Sequence, residues 1–61
     1  MQVSTQDYLK KALLDTQEKV RDFMMYSGKI DDDEISDFFR ACAEEEGYQA
    51  QQIQEFIKIM Q

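Results

Sequence analysis

No proline occurs anywhere in this chain, and its two glycines, Gly28 and Gly47, stand far apart. Proline removes a backbone donor and breaks helices, so its absence leaves long helices open to the whole sequence. The apolar residues use that freedom. Leu9, Leu13, Thr16, Val20, Phe23 and Ser27 recur at alternating spacings of four and three, the period of one helix face, with Ala12 and Met24 widening it. A second stripe runs Phe39, Cys42, Glu46, Gln49, Ile53, Phe56 and Met60, flanked by Ile35, Phe38, Ala50 and Ile57. The expectation is an all-α, two-helix antiparallel hairpin in a single domain over residues 1–61. Its first helix covers about residues 5–27, its turn about 28–31 and its second helix about 32–60.

Local signals place the ends. Ser4 reads as an N-cap, with Asp7 three residues on to offset free N–H groups and Val3 and Tyr8 placed as an apolar staple. Gly28 is expected to close the first helix in the left-handed conformation, which a side chain with a Cβ disfavours. Asp31 then caps the second helix, Glu34 takes the reciprocal position, and Ile30 and Ile35 form its staple. An EF-hand reading of the acidic run fails, because Ile35 and Ser36 occupy positions where the calcium loop needs an oxygen ligand and a glycine. On the exposed face, Asp7 with Lys11 and Asp15 with Lys19 are spaced for i,i+4 ion pairs. Because the apolar phase survives Gly47, one continuous second helix is preferred. The alternative, a third short helix after Gly47, draws on the roughly 1 kcal/mol that an interior glycine costs relative to alanine.

At 61 residues, such a chain buries only about 60% of the surface that its unfolded form exposes. Chains of this size recruit disulfides, a metal or a partner. Cys42 is alone, so no intramolecular disulfide forms, and histidine is absent, which excludes zinc fingers and histidine-based triads. The net charge is −6, and it is concentrated: residues 29–61 carry nine acids against Lys29, Arg40 and Lys58. Without a basic stripe, nucleic acid is not an expected partner. No apolar run reaches membrane-spanning length and no signal-peptide pattern opens the chain, so a cytoplasmic location is expected.

An antiparallel pair joined at Gly28 sets Ser27 opposite Asp32, so the second helix outruns the first. Ile53, Phe56, Ile57, Ile59 and Met60 are then the expected interface, and a homodimer of hairpins making a four-helix bundle is the expected way to cover them.

The stretch Ile30-Asp31-Asp32-Asp33-Glu34-Ile35-Ser36-Asp37-Phe38-Phe39, followed by Ala43-Glu44-Glu45-Glu46-Gly47-Tyr48-Gln49-Ala50, resembles the second helix of rubrerythrins and other ferritin-like proteins. In that family the helix opens after an acidic loop, carries a paired aromatic and reads an acidic run into Glu-x-x-His-Ala. The resemblance covers about residues 16–57, half of the family's four-helix bundle. It aligns the family's bridging glutamate with Glu46, its histidine ligand with Gln49, and the glutamate of its first helix with Thr16, seven residues before the aromatic Phe23. The resemblance implies a ferritin-like bundle, with a site for two irons and peroxide or oxygen chemistry where the ligands persist. Gln49 and Thr16 replace an imidazole and a carboxylate, which strips much of the basicity that holds iron.

Two readings of Glu46 and Gln49 stand side by side: a remnant metal site, and a polar core pair that fixes register across a dimer. The latter is preferred. Cys42 reads as a buried thiol, Tyr48 as helix-interface cover and the methionines as core filler. The expected function is a non-enzymatic self-association or interaction module without a cofactor. The alternatives are a reduced rubrerythrin-like protein handling iron or another divalent metal, and a small regulator docking on a larger protein through its C-terminal apolar end.

Overall fold

The computed structural model describes residues 3–60 and consists of two helices, α1 (Thr5–Lys29) and α2 (Asp33–Met60), packed antiparallel as an all-α hairpin. Ser4 caps α1 reciprocally: the Asp7 N–H donates to Ser4 Oγ at 3.1 Å, and the Ser4 N–H donates to Asp7 Oδ2 at 3.2 Å. Two free donors at the positive end of the helix are thereby satisfied. The expected staple does not close over this cap, since Val3 and Tyr8 both stay exposed.

The turn differs from its expectation in two ways. Gly28 does not end α1 in a left-handed conformation, because no glycine among the described residues has a positive φ. The helix continues through Gly28 to Lys29 and stops where Ile30 turns extended, its N–H still bonded to Tyr26 O at 3.1 Å. The cap of α2 is Asp32 rather than Asp31: the Ile35 N–H donates to Asp32 Oδ1 at 3.1 Å, and the Ser36 N–H reaches Asp32 O at 2.8 Å. Three adjacent aspartates are chemically equal caps, and packing between the helices chooses among them.

That packing is visible at Ser27 and Ser36. Ser36 Oγ donates to Ser27 O at 2.7 Å, and the two hydroxyls meet at 3.1 Å. Ser27 therefore faces Ser36, four residues beyond the Asp32 expected from the spacing, and each step back along α1 is a step forward along α2. Met60 comes level with Val3 and Lys58 with Thr5, so α2 outruns α1 by about two residues only, much less than the spacing implies. Beside the serine clasp, Phe23 stacks on Phe39 with centroids 5.9 Å apart, and Tyr26 meets Phe39 edge-on at 5.5 Å. Phe38 meets Phe39 edge-on at 5.7 Å. Aromatic pairs of this kind contribute about 0.5–1.5 kcal/mol each beyond the area they bury.

Further from the turn the seam is lined with small residues. Thr16, Ala43 and Ala50 are buried and Gly47 is half-buried, with α2 unbroken through it. Thr16 satisfies its hydroxyl inside its own helix, donating to Ala12 O at 2.7 Å. The expected α2 stripe is rotated as a result: Gln49, Phe56 and Met60 are exposed, while Ala43 and Ala50 take the innermost positions. Small side chains let helix axes approach closely, and bulky ones there would hold them apart. The ion pair on the exposed face is also displaced. Lys11 Nζ lies 2.6 Å from Asp15 Oδ1, in place of the two acid-first pairs.

Candidate functional site

One helix layer cannot enclose a core. The molecule measures 46 × 22 × 10 Å and has a radius of gyration of 14.3 Å, against roughly 10.5 Å for a compact chain of this length. Among the described residues only Thr16, Ser27, Ala43 and Ala50 are buried, and no large side chain is fully covered. The solvent-accessible area is 5029 Å². A compact monomer of 7.2 kDa exposes about 4,100 Å², which leaves an excess of about 900 Å².

Exposed large apolar side chains divide between the helices, with Tyr8, Leu14, Met24, Met25 and Tyr26 on α1 and a second set on α2. Phe38 is 62% exposed, Phe56 54% and Ile59 78%, and Ile35, Tyr48 and Met60 are exposed with them. In the helical period, Phe38, Cys42, Glu45, Gln49, Gln52, Phe56 and Met60 fall on the side of α2 turned away from α1 or on its flank. Phe38 joins that face to the aromatic cluster at the turn. In the middle of α2 the face dips where Ala41 is small, forming an open groove of about 440 Å³ lined by Ala41, Glu44, Glu45, Tyr48 and Gln49. All five residues belong to one helix, at spacings of three and four. The groove offers two carboxylates, a phenol and a carboxamide, and no nucleophile with an adjacent base.

The residues singled out from sequence are divided by this geometry. Ile53 and Ile57 are half-buried toward the seam, whereas Phe56, Ile59 and Met60 point outward. Glu46 is half-buried, Gln49 lines the outer groove, and Thr16 is buried in the seam with its hydroxyl already committed to Ala12. Among the described residues, no group of three or more Cys, Asp or Glu side chains is placed to hold a metal ion. Cys42 is half-buried and free.

Ala41 and Tyr48 are the members of this face that the apolar stripe and its flanks left aside. Their signal is the spacing 38, 41, 45, 48, 52, a second helical repeat behind the first, and alanine and tyrosine make it faint. No helix of the described residues is long and apolar enough to cross a membrane. Comparison with protein families, with characterised proteins and with solved structures finds no match for this chain.

Proposed function

We propose that this chain is a helical self-association module whose working state is a pair of hairpins. The observation that carries the reading is the uncovered surface: an excess of about 900 Å² is close to the roughly 800 Å² that each partner contributes to a stable interface. Phe38, Phe56, Ile59 and Met60 are exposed on α2, and a hairpin with four buried residues among those described gains more from covering apolar surface than a compact domain would. Two hairpins stacked face to face form a four-helix bundle, the assembly that the rubrerythrin-like stretch also implies. No catalytic step is part of this role.

Sedimentation equilibrium tests the proposal directly. The expected mass is twice the 7.2 kDa of one chain, with a melting temperature that rises with protein concentration because association stabilises only the folded state. A cooperatively folded monomer at low micromolar concentration, with a concentration-independent melt, defeats the proposal.

A further inference from the structure

We infer that the second copy packs its α2 antiparallel against this α2, about a twofold axis level with Gly47, so that Phe38 of one copy lies beside Phe56 of the other. The inference rests on the self-association proposed above and specifies its surface and register.

Three observations carry it. The first is self-complementarity. A twofold interface requires that if residue i meets residue j, then j meets i. Phe38 and Phe56 stand at equal distances on either side of Gly47 along α2, and both rings are more than half exposed. The same relation sets Ile35 level with Ile59, and both of these are exposed too.

The second observation is the polar centre of the face. About this axis Glu45 falls level with Gln49 of the other copy, twice by symmetry. A carboxylate accepting from a carboxamide is a charge-assisted hydrogen bond, and both groups already lie in the groove at the middle of α2. The small side chain of Ala41, which makes that groove, comes level with Ile53 of the second copy.

The third is charge. Parallel packing would lay the acidic run Glu44, Glu45 and Glu46 on its own copy, and residues 31–34 on theirs. Antiparallel packing sets the acidic run against Tyr48, Gln49 and Ala50. It also brings the acidic start of α2, with Asp33 and Glu34 in its first turn, to the end where Lys58 lies in the last turn of the other copy. Helix dipoles are then antiparallel, and the acidic run meets neutral side chains instead of its own copy.

Native Cys42 supplies the test. In this register Cys42 is level with Gln52 of the other copy, so Gln52→Cys places two thiol pairs across the interface. Within one chain the two positions are about 15 Å apart along the same helix, too far for a disulfide. Under mild oxidation, Gln52→Cys is expected to convert to a covalent dimer that reductant reverses. Wild type, Gln52→Cys with Cys42→Ser, and a Lys10→Cys control on α1 are expected to stay uncrosslinked. Cross-linking of wild type through Cys42 alone overturns the antiparallel register. So does a Gln52→Cys protein that sediments as a dimer yet remains uncrosslinked, although self-association then stands. A monomer at every concentration removes both this inference and the proposal beneath it.

Discussion

The two ends of the hairpin solve the same problem differently. At the turn, Phe23 and Tyr26 pack ring against ring on Phe39 across the seam, and Ser27 and Ser36 satisfy each other's hydroxyls. At the other end Val3, Tyr8, Phe56, Ile59 and Met60 are all exposed. Apolar residue types are present at both ends, so hydrophobicity does not separate them. Direction does: at the turn Phe23, Tyr26 and Phe39 meet across the two helices while Phe38 stays outside, and at the open end Phe56, Ile59 and Met60 have no such partners. The chain pairs rings across its seam at the turn end and leaves the apolar side chains of its open end exposed.

Breaking the closed end should have the largest effect. Phe39 touches three other rings, and Phe39→Ala is expected to cost about 2–3 kcal/mol, somewhat below the range for a fully buried phenylalanine. For a chain this small, circular dichroism should show most helicity lost at 25 °C. The outward face should respond differently. Phe56→Glu is expected to weaken self-association at least tenfold, about 1.4 kcal/mol, in sedimentation while the dilute protein keeps its helical signal. Equal loss of helicity in both variants would erase the distinction between the ends.

Smaller changes sharpen the comparison. Ser36→Ala removes the donor to Ser27 O and the partner of a buried hydroxyl, and should lower stability by about 1 kcal/mol in urea titration. Gly47→Ala should do the reverse. A Cβ at Gly47 meets nothing within 4 Å, and replacing an interior helical glycine gains about 0.5–1 kcal/mol. Gly28→Ala is expected to behave alike, because Gly28 is helical and its surroundings are also open. At the small end, Asp15→Asn breaks the exposed pair with Lys11 and should change the urea midpoint by less than about 0.5 kcal/mol equivalent.

Much of this fold is legible in the residues. Alternating spacings of three and four define both helices, Ser4 and Asp7 mark a start, and the unbroken phase on either side of Gly47 agrees with the continuous α2. Finer choices depended on contacts between the helices. Asp31, Asp32 and Asp33 are interchangeable until Ser36 meets Ser27, and Gly28 reads as a terminator only while the turn is considered alone. The rotation of α2 had a weak signal for a physical reason: Ala43 and Ala50 carry little hydrophobic weight, so the eye follows Phe56 and Met60, yet close approach selects the alanines. The candidate surface was partly visible, since Phe56, Ile59 and Met60 stand out. The inferred register was not, because the equal spacing of Phe38 and Phe56 about Gly47 matters only once the outward face is known.

The three-residue connection and the serine clasp beside it also bear on how the hairpin forms. Contacts at the turn close the shortest loops in the chain, so the entropy of bringing the helices together is lowest there. The aromatic rings reward that first closure at once. Pairing then propagates away from the turn like a zip, each step adding contacts between residues already held near each other. The last turns to close are the ones with the least to hold them, which makes the distal end the first to fray.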